Sequence, residues 1–443
     1  MKQAEEGSRF NTDRLVSTYF KLSLPVVMGS MISIIYNLAD TYFIAQTNNA
    51  LLVAGVSVCT PIFTILMAFG NIFGQGGSSL LSRLLGQQKT EDAKKVSAFC
   101  FWIAILTGII VGGLLLLFLD PFLAMLGTSE ETLPYAREYA TVLLLGAPFI
   151  VVNFIHMNLL RCEGMAGMSM IGTLIGAVVN IILDPLMIPS MGARGAALAT
   201  VIGYVMTVIY LLIVVLLKSK VLSIRPILRL KGAFVQSILS IGATAAITNI
   251  ASSLCVILVN QKLLAFGDDR IAAMGIVFKV TMIVQMIQVG FSFGGVPLFG
   301  YLEGAKEQEK TRRLLRFCLV FLCALSACLS LIVVFGAPYL LGLITPDENL
   351  IRLGAPMLRF QVSGGIFAGV VMLMTCLCQA TGKAVPALML SLSRQGVIYV
   401  LVLLVSSALF GYMGILSAQL AADILSSVLA VVLFKTMFRP EKE

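Results

Sequence analysis

Charge is the scarcest property of this chain. Only 12% of its 443 residues are Asp, Glu, Lys or Arg, against about 25% in an average soluble domain, while 58% are hydrophobic. At a mean hydropathy of +0.97, no soluble fold of this length could hide its apolar surface, so lipid is the expected solvent. Histidine is nearly absent, with His156 the sole example. One imidazole and scattered aspartates supply neither a nucleophile with its base nor an HExxH-type zinc site, so a membrane-embedded enzyme is not expected. No pair of CxxC motifs occurs. The nine cysteines fall mainly inside apolar runs, as at Cys318, Cys323, Cys328, Cys376 and Cys378, and read as small buried hydrophobes. A cleavable signal peptide is not expected either, because the first apolar run opens near Phe20, carries Asp40 and lacks a small-residue cleavage site. The net charge of +9 is spread through short loops rather than gathered on one face, which argues against a nucleic-acid partner. No organic cofactor is expected.

What the chain does have is apolar runs of about 20 residues, the length a bilayer crossing requires. Twelve are expected, near 20–45, 51–78, 97–119, 138–160, 168–189, 193–217, 235–265, 271–299, 314–336, 354–378, 386–409 and 412–434. Positive loops stay in the cytoplasm. Most of the 31 basic residues lie in the N-terminal arm, the even-to-odd loops and the C-terminal tail, and the opposite loops hold only Arg137, Arg194, Arg270 and Arg352. Both termini are therefore expected inside, in the plasma membrane of a prokaryotic cell.

The sequence repeats itself. A shift of 218 places Gly76 and Gly77 on Gly294 and Gly295, Gly86 on Gly304, Glu91 on Glu309, Phe99 on Phe317 and Gly164 on Gly382. With one extra residue Gly192 meets Gly411, and Gly195 meets Gly414. Each half holds six spans, an even number, so the halves share one orientation and form two parallel bundles. The fold class is an all-α polytopic membrane protein, with an N-terminal lobe over 1–217, a cytoplasmic linker over 218–234 and a C-terminal lobe over 235–443. One chain carrying both bundles is expected to work as a monomer.

An ionisable group in hydrocarbon costs roughly 2.5 to 3.5 kcal/mol on insertion scales and calls for a reason. Three carboxylates fall well inside spans, Asp40, Asp184 and Asp423, whereas Asp120 and Asp347 sit beside prolines at span ends, where a cap or turn suffices. Asn37 stands one helical turn before Asp40, and Asn180 one turn before Asp184, so amide and acid share a face in both spans. Pro185 frees the Ile181 carbonyl. Such oxygens suit a proton or a Na⁺ ion held by Asp40 and Asp184, although interhelical hydrogen bonds alone would also use them. Under the repeat Asp40 falls on Leu258, Asn37 on Cys255, Asn180 on Ile398 and Asp184 on Val402, so the acidic pocket exists once.

The C-terminal half has a different polar set, which includes Lys279, Gln285, Arg394, Gln395, Gln419 and Asp423. Buried charges pair, and Arg394 and Asp423 lie at compatible depths; a structural or gating ion pair and a substrate contact both fit. Tyr36 and Asn153 are further candidates for a substrate cavity or gate in the N-terminal half, where aromatic and Met-rich stripes could accept flat apolar cations. For His156, helix packing and a substrate or proton contact are both open.

These residues resemble a known pattern. Asn37 to Thr41, the Gly86 turn, Arg161 to Gly164, Asn180 to Asp184, Gly195 to Thr200, Ser393 to Gln395 and Ala421 to Asp423 together are similar to the multidrug and toxic compound extrusion (MATE) family over nearly the whole chain. The resemblance implies a V-shaped twelve-helix antiporter. It would expel amphipathic, often cationic, organic compounds in exchange for H⁺ or Na⁺ by alternating access, with Asp40, Asn180, Asp184 and Thr200 matching the cation cluster of the N-terminal lobe. Two features depart from the pattern. Spans 7 and 10 lack the mid-membrane acids of some branches, and Leu302 stands where Asn is commoner. The nearest rival is a flippase for lipid-linked oligosaccharide or cell-wall precursors, which would line its cavity with bases to hold pyrophosphate; the N-terminal spans carry acids instead.

Overall fold

Within hydrocarbon every backbone N–H and C=O must find its partner inside the chain, which leaves helices as the economical solution. The computed structural model describes residues 10–226 and 230–437, in which every regular element is a helix. Positions 227–229 of the expected linker, and the C-terminal tail from 438 with its cytoplasmic assignment, lie outside the described residues, as does the N-terminal arm before Phe10.

In the first half, α1 (Leu15–Ala45) makes the first crossing. Next, α2 (Ala50–Val58) and α3 (Thr60–Gly86) make the second, and α4 (Thr90–Leu117) the third. A short α5 (Leu119–Met125) leads to α6 (Leu133–Leu145) and α7 (Ala147–Cys162), a fourth crossing bent by 54°. Crossings five and six are one rod, α8 (Ala166–Lys218). The second half repeats the plan. It runs through α9 (Gly232–Leu264), α10 (Asp268–Phe293) with α11 (Val296–Gly304), α12 (Gln308–Gly342), and α13 (Glu348–Ser363) with α14 (Gly365–Ala380), a pair bent by 44°. It closes with α15 (Ala384–Gln395) and α16 (Val397–Met437). Among the described residues, eight stretches of helix are long and apolar enough to cross a bilayer, the two bent pairs add one crossing each, and two of the eight, each 53 residues long, contain two. That makes twelve.

Each double-length rod turns back at a glycine. Gly192 adopts φ 58°, ψ −132° and Gly411 φ 55°, ψ −128°, a region closed to residues with a Cβ. The break in α8 falls there and not at Pro185 or Pro189, both of which remain within helix. Left-handed residues recur with the repeat as well: Gln88 and Lys306 have φ 59°, and Gly164 and Gly382 have φ 78°. All four follow a helix end, and three of them close it with the same bond. Lys89 N–H bonds Leu84 O, Met165 bonds Leu160, and Lys383 bonds Cys378 at 2.8 to 3.0 Å, satisfying carbonyls that the helix end would strand. Asp347 caps α13 by accepting from the N–H groups of Asn349 and Leu350, and Asp120 accepts from Arg137 at 3.0 Å.

The chain divides into two compact units. The first runs to Ala243 and takes in Gly300–Lys306, and the second holds Thr244–Phe299 and the chain from Glu307 onward. The core of the first is built on Leu81, Ile150 and Leu159, all buried. Val277, Leu358 and Leu403 play that part in the second. Outward faces are as apolar as the cores, with Leu117, Leu217 and Phe335 at least three-quarters exposed, as lipid contact demands. His156 is packed edge-on against Phe101 at 5.3 Å and is 1% exposed. Seven of the nine cysteines are buried, and all are free.

The beginning of the linker is stitched to the first unit. Glu163 accepts from Ser219 Oγ and Lys220 N–H, Ser223 N–H bonds Ser97 Oγ, and Trp102 Nε1 donates to Ile224 O at 3.0 Å. Within the same unit the turn after α11 meets the end of α3 reciprocally. A Cβ on Gly86 would lie 2.0 Å from Tyr301 O, and one on Gly304 would lie 2.1 Å from Arg83 O. The two contacts are images of each other under the 218-residue shift. Gly86→Ala is therefore expected to cost about 1 to 3 kcal/mol through overpacking. Gly113→Ala on α4, with nothing within 4 Å, should be neutral or gain a few tenths of a kcal/mol. Melting curves of the two purified variants against the parent check the difference.

Candidate functional site

Hydrocarbon selects against carboxylates unless something is gained by holding them there. The fold collects two of them in the first unit. α1 carries Tyr36, Asn37 and Asp40; the arm of α8 before Gly192 carries Asn180 and Asp184, and the arm after it carries Thr200 and Tyr204. The reversal at Gly192 lets the arms touch, and Gly176 against Gly203 keeps them close: a Cβ on either would sit 3.0 or 2.9 Å from the other's carbonyl oxygen. Asn180 donates to the Asp184 carboxylate at 3.3 Å whichever way its amide is turned. In the orientation that satisfies both ends, its oxygen accepts from Thr200 N–H at 3.3 Å. The Thr200 hydroxyl lies 3.5 Å from the same amide.

Asp184 is fully buried and Asn180 is 2% exposed. Asp40 is half-buried, yet its Oδ1 is sealed from solvent and has no hydrogen-bond partner. The two carboxylates act on each other electrostatically and on the Tyr139 phenol of α6. Tyr36 OH and Tyr204 OH are 3.1 Å apart, joining α1 to the second arm of α8. No Lys or Arg forms a salt bridge with either acid among the described residues, and the oxygens of Asp40, Asp184, Asn180 and Thr200 are the hard donors that a proton or Na⁺ accepts. No group of three or more His, Cys, Asp or Glu side chains converges among the described residues.

Other candidates stand apart from this cluster. Asn37 is exposed and spends its amide on Ser33 O at 2.7 Å, within its own helix. Asn153 is buried in α7 at 4% exposure with an unpartnered Oδ1. Lys279 is exposed on α10, and Gln395 accepts from Ser252 Oγ at 2.7 Å. Tyr204 and Tyr139 were not singled out from the sequence. Tyr204 stands one turn after Thr200, a spacing that could have found it, whereas nothing local marks Tyr139, which arrives from another crossing.

The second unit holds a polar site of its own. Arg394 Nε donates to Asp423 Oδ1 at 2.9 Å, with the two side chains 7% and 2% exposed, and Gln419 donates to the same oxygen at 3.0 Å. Beside the pair lies a cavity of about 20 Å³ lined by Thr281, Gln285, Gln288 and Gln361 among others. Gln288 is held by Ser326 and the Gly365 carbonyl.

A family model described as MatE matches residues 25–186 and again 244–405. The Multidrug export protein MepA of Staphylococcus haemolyticus is 30% identical over 425 residues, covering 95% of this chain and 94% of that protein. MepA of Staphylococcus aureus is 30% identical over 427 residues, covering 96% and 94%. Among solved structures, the Vibrio cholerae MATE transporter VcmN in the bent form superposes with a TM-score of 0.89 at 22% identity, covering 96% of this chain and 97% of that one.

Removing one member of a buried ion pair strands the other, at a cost of about 3 to 5 kcal/mol, while replacing both is far milder. Asp423→Asn alone should therefore lower the melting temperature of the purified protein markedly, and Arg394→Gln combined with Asp423→Asn should recover most of the loss. Additive effects in this double-mutant cycle would contradict the pairing.

Proposed function

Because the chain belongs to the MatE family, we propose that it is a secondary active exporter of small amphipathic, often cationic, organic compounds, driven by inward movement of H⁺ or Na⁺ through Asp40 and Asp184. The observation that carries this reading is the uncompensated acid pair. Asp184 is fully buried, Asp40 keeps a sealed oxygen without a partner, and no base forms a salt bridge with either among the described residues. A positive charge from solution is what this site lacks. The names of the staphylococcal relatives, multidrug export proteins, agree with a solute that leaves the cell.

The cycle follows from charge balance. From the outside a proton or Na⁺ enters the cluster, where Asn180 and Thr200 supply neutral oxygens and the hydrogen-bonded Tyr36 and Tyr204 connect α1 with α8. Neutralising the carboxylates removes their hold on an organic cation, which is released outward. Loss of the small ion to the cytoplasm restores the negative charge and with it affinity for the next solute. One population of carboxylates thus serves both passengers in alternation, and stoichiometric exchange results from their competition.

Bulky cations need no fixed hydrogen-bond pattern under this scheme, since charge and apolar area recognise them. A carrier for pyrophosphate-linked lipids would instead need bases where this site has acids.

Proteoliposomes loaded with a fluorescent organic cation, under an imposed pH or Na⁺ gradient, test the proposal. Gradient-driven transport is expected in the parent, and Asp40→Asn and Asp184→Asn are each expected to reduce it at least about tenfold, the loss that 1.4 kcal/mol of binding represents. Full transport by the double variant, at matched protein content, would overturn the assignment.

A further inference from the structure

The polar cavity of the second unit stands where the acid cluster stands in the first half of the repeat. Gln419 and Asp423 follow Thr200 and Tyr204 by 219 residues, the same shift that relates Gly411 to Gly192, and Arg394 follows Gly176 by 218. Both sites thus use the same two positions, one turn apart, on the last crossing of their half. What differs is the source of charge. In the first half two acids come from α1 and α8, and among the described residues no base forms a salt bridge with them. In the second half the last crossing supplies the acid, and the neighbouring α15 supplies a guanidinium.

The pair is loosely made for one so well buried. Arg394 uses a single nitrogen, Nε, where a guanidinium can grip a carboxylate with two parallel bonds. Its two terminal nitrogens have no hydrogen-bond partner among the described residues. Asp423 Oδ1 accepts two bonds while Oδ2 accepts none, and Oδ2 lies at the bend between α13 and α14, 2.7 Å from where a Cβ on Gly364 would be. Among the described residues, Arg394 and Asp423 are the only charged groups lining the cavity, whose volume of about 20 Å³ admits one water-sized guest. A bulky organic solute does not fit it with Arg394 in place.

We propose that Asp423 is the acceptor of a second monovalent-cation site, which the chain fills with its own Arg394, and that a free guanidinium-type organic cation occupies it once that side chain is removed. The tethered guanidinium makes the second half electrically complete, so the intact protein loads no ion there. A freely diffusing cation would have to displace a partner that never leaves the neighbourhood, and the local concentration of a tethered group is hard to match. This assignment does not rest on the coupling role of Asp40 and Asp184, because every residue it uses lies in the second unit.

The test is chemical rescue of the purified full-length protein. Arg394→Ala is expected to melt several degrees below the parent, and millimolar guanidinium is expected to return at least half of that difference, since a ligand that binds only the folded state stabilises it. Equilibrium dialysis with labelled guanidinium should find one more ion bound per chain in Arg394→Ala than in the parent. That extra ion should be lost when Asp423→Asn is added. Sodium at equal ionic strength controls for charge alone, and an equal shift with sodium overturns a site shaped for guanidinium. Shifts that persist without Asp423, or no shift in any variant, overturn the site altogether. Should Arg394→Ala not survive extraction, guanidinium present from lysis onward is expected to recover it. Loss with and without guanidinium, while Arg394→Lys is recovered, also overturns the proposal.

Discussion

A carboxylate taken out of water must meet a positive charge, and the way each half of this molecule meets that demand organises everything around it. In the second half the answer is internal: Arg394 sits 2.9 Å from Asp423. In the first half none of the described residues answers with a salt bridge, and two acids share a pocket whose remaining donors are neutral oxygens and phenols. Desolvation costs of this size are affordable only when helices hold the groups in place, and here the rigidity has a definite origin. The two arms of α8 are pressed together at Gly176 and Gly203, so Asn180 and Thr200 meet at a distance that larger residues would forbid.

Duplication explains why one chain can hold two different answers. The backbone is conservative, with left-handed turns at Gln88 and Lys306, at Gly164 and Gly382, and reversals at Gly192 and Gly411. Side chains at matching places have diverged. At the positions of Thr200 and Tyr204 on one side stand Gln419 and Asp423 on the other. Backbone geometry in lipid is tightly held because no water can repair a broken helix bond, whereas a polar side chain inside the bundle is free to change provided its charge is balanced.

Much of this was legible in the residues themselves. Twelve crossings followed from apolar length and the repeat from glycine spacing, because both are one-dimensional properties. The acid and amide of α8 were readable from their four-residue spacing, and Arg394 with Asp423 from their depth. The contribution of Tyr139 was not, since it depends on how α6 packs against helices distant in sequence. Asn37 shows the opposite failure. Its spacing from Asp40 places it on a shared face, but the amide finds a nearer acceptor in the Ser33 carbonyl, and a local bond wins over a longer reach. Pro185 illustrates a third case, in which a residue able to bend a helix is left in place while a glycine seven positions later turns the chain.

The stitched start of the linker has a practical corollary. Trp102 is the chain's single indole, and its N–H is tied to the Ile224 carbonyl. The protein therefore carries one indole fluorophore, rooted on α4 and bonded to the strap that leads from one half to the next. Any event that lifts residues 219–226 off α4 would change that indole's hydrogen bonding and surroundings, so the emission of unlabelled protein reports on the strap with no competing tryptophan signal.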